Sequence, residues 1–200
     1  MISDPKPEKL QASCLNLNSP SEEDYKFAHS SNLVDLRLFD QVLEQSPKDQ
    51  NIIFSSLSVI SVLSMVLLGS KHQTRDELAM VLSLPCNEIE NGDSEIYFGE
   101  YKKAIELMKN DNVKIETANK VYIDNHFQLM KDFTSKVGNY FSSQPELLDF
   151  ASNSNEARIK INNDVLDLTN EKIKDLLGPG SVTPNTKMIL VNAVYFKGDW

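Results

Sequence analysis

Four serines stand at three-residue intervals, Ser55, Ser58, Ser61 and Ser64, and a regular row of hydroxyls invites a nucleophile reading. A serine attacks only when a base takes its proton, and no histidine lies near this row in sequence. The row also sits inside an apolar run, so packing explains it better: small polar residues let backbones approach closely and need hydrogen-bond partners where they are buried. The three histidines, His29, His72 and His126, are far apart and fit no metal-ligand spacing such as H-E-x-x-H. Cys14 and Cys86 are too few for a disulfide scaffold or a multi-thiolate zinc site, and read as two free thiols or, as the alternative, a single bridge. No G-x-S-x-G, P-loop or G-x-G-x-x-G is present, and the many carboxylates read as a solvated face. The sequence thus assigns no catalytic residue, no metal and no cofactor. Asn192 is the one strongly polar residue in the nine-residue run Met188 to Phe196, where a buried amide must find a partner.

The elements that position these residues belong to a soluble globular chain. Its 200 residues are 40% hydrophobic and 24% charged, enough to bury roughly 70% of the surface of the unfolded chain. The 29 acidic against 20 basic residues give a net charge of -9, which argues against nucleic acid and against an anionic membrane surface. Lys102, Lys103 and Lys109 are scattered among acids and read as a solvated face rather than a polyanion site. The longest apolar stretch, Val59 to Leu68, is too short to span a bilayer. Residues 1–24 mix Pro, Ser, Asn and Glu and read as a flexible polar leader with no apolar signal segment. With no N-x-S/T acceptor either, the cytoplasm is favoured, or the extracellular space if this N-terminus is a mature or misassigned one.

From Tyr25 to Gln45 apolar residues recur at helical spacing, and Ser46-Pro47 breaks the pattern. Asn51 to Phe54 reads as a short strand. Ser55 to Gly69 reads as a helix apolar nearly all round, hence buried on every side. Thr74-Arg75-Asp76-Glu77 has the form of a capping box opening the next helix. Further helices are expected over 96–109 and 129–141, strands over 113–123 and 146–150, and a helix from Asn153 with a stripe at Ala157, Ile161, Val165 and Leu168. Met188 to Phe196 reads as a strand buried on both faces, central in its sheet. The class is α+β.

Three segments resemble the serpin family of protease inhibitors in order and spacing. The first is Asn51-Ile52-Ile53-Phe54-Ser55-Ser56-Leu57-Ser58 through Gly69 to Leu78. The second is Ala118-Asn119-Lys120-Val121-Tyr122 with Ile161-Asn162 and Lys172 to Leu176. The third is Asn192-Ala193-Val194-Tyr195-Phe196-Lys197-Gly198-Asp199-Trp200. Three departures stand out: Ser56 where the family usually has proline, His72 where glycine is common, and Asp164 where an aromatic is usual.

The resemblance covers about residues 25–200 and implies the N-terminal half of a serpin-like fold. Several helices, one of them buried and central, would pack on a large central β-sheet. It implies a suicide inhibitor of serine or cysteine proteases, in which a cleaved reactive loop inserts into the central sheet; the family catalyses nothing itself. By the same resemblance Ser55, Ser58 and Asn192 fall in the region where the sheet parts, the shutter, and Trp200 falls near where the loop enters, the breach. The reactive loop is not among these 200 residues. The expectation is therefore a chain that does not inhibit as it stands and folds poorly or self-associates through an exposed strand edge. The alternative is a short product acting as a binding or self-associating module.

Overall fold

The computed structural model describes residues 26–84, 89, 94–108 and 113–198. The leader, Cys14, Cys86 and Trp200 lie outside the described residues. The chain divides into two compact units between Glu106 and Leu107. The first holds helices α1 (Lys26–Gln45), α2 (Ser56–Gly69), α3 (His72–Val81) and α4 (Glu95–Leu107). The second holds strand β1 (Val113–Asp124), helix α5 (Lys131–Phe141), strand β2 (Glu146–Leu148), helix α6 (Phe150–Leu168) and strand β3 (Met188–Gly198). Among the described residues no helix is long and apolar enough to cross a membrane.

In the first unit α1 forms over the predicted span, but its buried face is narrower than its apolar pattern. Phe27, Ser30 and Val34 are buried, whereas Leu36, Phe39 and Leu43 are exposed. Its first turn is held by Glu100, whose carboxylate accepts the otherwise orphaned Phe27 N–H at 2.6 Å. The Phe27 ring packs against Tyr97 and Tyr101 of α4, with centroids 5.4 and 5.6 Å away.

Three expectations fail here. Residues 51–54 make no strand, because no neighbouring strand among the described residues offers them a ladder, and Ile53 is almost fully exposed. Helix α2 is not buried on every side: Ile60, Met65 and Leu67 are buried, while Val59 is 38% exposed, since the helices of this unit cover only part of its circumference. Thr74 caps nothing either. Helix α3 begins three residues earlier, after Lys71, and Glu77 takes a hydrogen bond from Gln73 at 2.8 Å instead of reaching back to a cap. His72 enters this helix at φ 54°, a left-handed conformation that costs a side-chain-bearing residue roughly 1–2 kcal/mol. That is why glycine suits the position.

The second unit is a three-stranded mixed sheet of order β2-β1-β3. β1 pairs parallel with β2, Tyr122 opposite Glu146, and antiparallel with β3 from Val113 opposite Gly198 to Ile123 opposite Met188. Val121 and Tyr122 are consecutive in β1 and both fully buried, so the middle strand is covered on both faces. On the Tyr122 face, Ala157, Ile161 and Val165 of α6 pack with Phe150, Val182 and Val191. Leu168, placed in that stripe from its spacing, is 40% exposed because it lies on the helix's final turn, past the core. On the other face Asn119 bonds to the last carbonyl of α5. The expectation that the 188–196 strand is central and buried on both faces is corrected: among the described residues β3 is an outer strand with β1 as its one partner, and Met188 is 43% exposed.

Candidate functional site

The serine row works as structure. Ser55 is the N-cap of α2, and its Oγ accepts both the Ser58 N–H at 3.2 Å and the Ser58 hydroxyl at 3.1 Å. One turn on, the fully buried Ser61 donates to the Leu57 carbonyl at 2.7 Å. Its Oγ lies 2.8 Å from the Tyr101 hydroxyl, which therefore supplies the proton of that second bond. Ser64 donates to the Tyr97 hydroxyl at a longer 3.5 Å. The hydroxyls of Ser58, Ser61 and Ser64 are committed as donors to neighbours with no basic character, and the three histidines are all exposed. The arrangement holds a helix start and a helix–helix register in place.

Asn192 does find a partner, a second carboxamide. It stands directly opposite Asn119 in the β1–β3 ladder and donates its side-chain amide to the Asn119 Oδ1 at 2.7 Å. Asn119 in turn donates to the Phe141 carbonyl at 3.2 Å. The chain of amides runs one way, each donating to the next, and so leaves the Asn192 Oδ1 buried with no donor. Sequence reasoning singled out Asn192 and passed over Asn119, although a second carboxamide in a strand pattern was the available signal. Ser55 and Ser58 are brought together in the first unit, and Asn192 is joined to Asn119 in the second.

Two further polar clusters went unforeseen. Tyr122 is buried, yet its hydroxyl donates to Asp164 of α6 at 2.9 Å. Lys160 binds Asp164 at 2.7 Å and Glu146 of β2 at 3.0 Å. Burial pushes the Tyr122 phenol far above its ordinary range, and the hydrogen bond and charge of Asp164, then the charge of Glu146, push the same way. The Lys160 ammonium is raised chiefly by its bond to Asp164, against desolvation and with help from Glu146. At the end of β1, desolvation pushes the Asp124 carboxyl up. The His126 backbone N–H and imidazole, the latter at 2.7 Å, together with the charge of Lys187, outweigh that and hold it below the usual range. Its second oxygen, Oδ2, is buried and unpaired. Among the described residues no group of three or more His, Cys, Asp or Glu is arranged to hold a metal ion.

Among the described residues none of these clusters forms a nucleophile–base pair; the Ser–Tyr, Asn119–Asn192 and Tyr122–Asp164–Lys160–Glu146 contacts tie elements together. The family model described as serpin (serine protease inhibitor) matches residues 29–200. The chain belongs to the serpin family. It is 35% identical to bovine Serpin B6 over 152 residues, covering 76% of this chain and 40% of that protein. It is 33% identical to human Serpin B3 over 195 residues, covering 92% of this chain and 48% of that protein. Among solved structures, reaction-loop-cleaved lamprey angiotensinogen superposes with a TM-score of 0.74 at 27% identity, over 89% of this chain and 50% of its own. Serpin48 of the insect Tenebrio molitor superposes with a TM-score of 0.76 at 25% identity, over 92% of this chain and 47% of its own. The fold is that of a partial serpin, and the chain spans about half the length of these relatives.

Proposed function

We propose that these residues supply the sheet-bearing part of a serpin that inhibits a serine or cysteine protease by taking a cleaved loop into its sheet. The observation that carries this reading is the outer edge of β3. It is an eleven-residue, largely apolar strand that pairs with β1 on one side and with no other strand among the described residues. Such an edge accepts another strand through its free backbone groups. The unpaired, buried Asn192 Oδ1 supports the shutter assignment, because it lacks a donor that a moving or added segment would bring. Ser55 and Ser58 are assigned to the same shutter and Trp200 to the breach, on the family pattern. The protein catalyses nothing itself.

On this reading the 200 residues carry the acceptor sheet, and by themselves they are expected not to inhibit. The test is incubation with trypsin-, chymotrypsin- and elastase-type serine proteases and a papain-type cysteine protease. The 200-residue chain is expected to give no detergent-stable covalent complex, and a chimera carrying the C-terminal part of a homologous inhibitory serpin to give one. A covalent complex with the 200-residue chain, or none with a folded chimera, overturns the reading.

A second reading rests on the same edge: the chain taken alone is a binding module that self-associates by strand addition at β3. Light scattering at micromolar concentration is expected to show oligomers, reduced by Met188→Lys, which places a charge at the exposed start of the strand. A monomer with a sharply cooperative thermal transition excludes it.

A further inference from the structure

Helix α6 is broken near both ends. Asn153 leaves helical geometry at φ -130°, ψ 45°. Beyond Leu168, Asn170 and Glu171 take consecutive left-handed conformations, φ 48° and 62°. Residues 154–168 are therefore a regular helical segment between two backbone breaks, the places where a segment turns without deforming its neighbours. Its apolar attachment to the sheet runs through three side chains, Ala157, Ile161 and Val165.

The rest of its attachment to the strands is polar. Tyr122 puts its ring into the core beneath the helix and its hydroxyl against Asp164. Lys160, one turn earlier, grips Asp164 and also reaches Glu146, so four side chains tie α6 to both β1 and β2. The cluster is graded in exposure. Tyr122 is fully buried, whereas the side chains of Asp164, Glu146 and Lys160 are 21, 36 and 45% exposed. Solvent and ions reach the outer three groups, while the inner phenol depends on Asp164 for its acceptor.

We propose that Tyr122, Asp164, Lys160 and Glu146 form a clasp that sets how often residues 154–168 lift from the strands beneath them, and that its solvent-reached ion pairs make this opening sensitive to salt. The proposal does not depend on how the chain meets a protease. It is tested by hydrogen exchange on the full chain with Tyr122→Phe, Asp164→Ala and the double variant. Each single change is expected to speed exchange of the 154–168 amides about tenfold while β1 and β3 amides keep their rates. The double variant should go no further than Asp164→Ala, because the same bond is already gone. Alanine is the better helix former, so faster exchange in Asp164→Ala does not come from lost propensity. Raising salt to about 1 M, where the Debye length shrinks to about 3 Å, should speed helix exchange in the natural chain more than in Asp164→Ala, where the Lys160–Glu146 pair alone remains. Tyr122→Phe keeps the ring and hence the core, which guards the test against a misfolded variant. Unchanged helix rates, effects that multiply in the double variant, sheet amides accelerating equally with the helix, or equal salt effects with and without Asp164 would each overturn the proposal.

Discussion

The two units solve the problem of buried polar groups differently. In the helical unit every buried side-chain polar atom among the described residues finds a partner, in its own helix or elsewhere in the unit. Ser58 reaches Ser55 three residues back, Ser61 reaches Leu57 four residues back, and tyrosines at a matching helical spacing, Tyr97 and Tyr101, meet Ser64 and Ser61. In the sheet unit the partners are distant in sequence, Asn119 with Asn192 and Tyr122 with Asp164, and the accounts do not close. Asn192 Oδ1 and Asp124 Oδ2 are buried without donors. A helix supplies hydrogen-bond partners from its own preceding turn, whereas a strand spends its backbone on the ladder and must find side-chain partners elsewhere. Among the described residues unmet polar capacity therefore collects in the sheet unit.

The sharpest test of this contrast compares the apolar side chains. Ile161 has no exposure in the core of the sheet unit, while Val59 is 38% exposed on the apolar helix α2. Ile161→Ala should destabilise the sheet unit by about 2–5 kcal/mol, and Val59→Ala should cost under about 1 kcal/mol. Urea denaturation followed by hydrogen exchange in each unit reads both. Equal costs would mean that Val59 is covered in solution and that the contrast in burial is wrong.

The polar ties should rank next. Asn119→Ala takes the acceptor from the Asn192 amide, at about 1–3 kcal/mol, and one donor from the Phe141 carbonyl. Tyr101→Phe removes one donor from a serine that keeps its bond to Leu57, at about 1 kcal/mol. Denaturant midpoints in the reverse order would break the claim that hydroxyl ties are the more self-sufficient.

Much of this was legible in the sequence wherever a pattern is local. The span of α1 follows from its periodicity and the Ser46-Pro47 break, and the strand spans of β1 and β3 from their composition. What escaped was relational. The apolar run of β3 and the mixed run of β1 gave no sign of which strand has two neighbours, and among the described residues it is β1. Asp164 was legible only as a departure from an aromatic pattern. Its reason, the Tyr122 hydroxyl 42 residues away in sequence, exists only once α6 lies on β1. The serine row was read correctly as packing, yet the tyrosines that complete it carry no marker in a one-dimensional pattern.

Titration separates two polar clusters that stand two residues apart on β1. The Asp124 carboxyl is held below its ordinary value, so its contribution is fully present above about pH 3.9 and is lost as pH falls through the folded value. The Tyr122 phenol and the Lys160 ammonium are both raised. Their contributions are present below about pH 10 and fall away as pH rises beyond it, where the unfolded chain gives up protons that the folded one keeps. Stability of the sheet unit against pH should therefore slope at both extremes. Asp124→Asn should flatten the acid limb alone and Tyr122→Phe the alkaline limb alone. A variant that lowers the whole curve without changing either slope would show that its group acts by packing rather than by charge.

The smallest effect bears on a backbone contrast. The sheet unit places glycine at one of its left-handed positions, Gly180 at φ 80°, whereas the helical unit places His72 at φ 54° at the start of α3. The histidine side chain is exposed, so a substitution there changes backbone energetics with little loss of packing. His72→Gly relieves roughly 1–2 kcal/mol of left-handed strain but gives back up to about 1 kcal/mol through the greater freedom of glycine in the unfolded chain. The net expectation is a gain of a few tenths to about 1 kcal/mol, seen as a higher denaturant midpoint for the helical unit with an unchanged m-value. His72→Ala leaves a Cβ in the same conformation and should gain nothing, which separates relief of strain from loss of the imidazole. If the two variants behave alike, the left-handed residue at the start of α3 carries no strain, and the value of glycine at that position must lie in something other than its backbone.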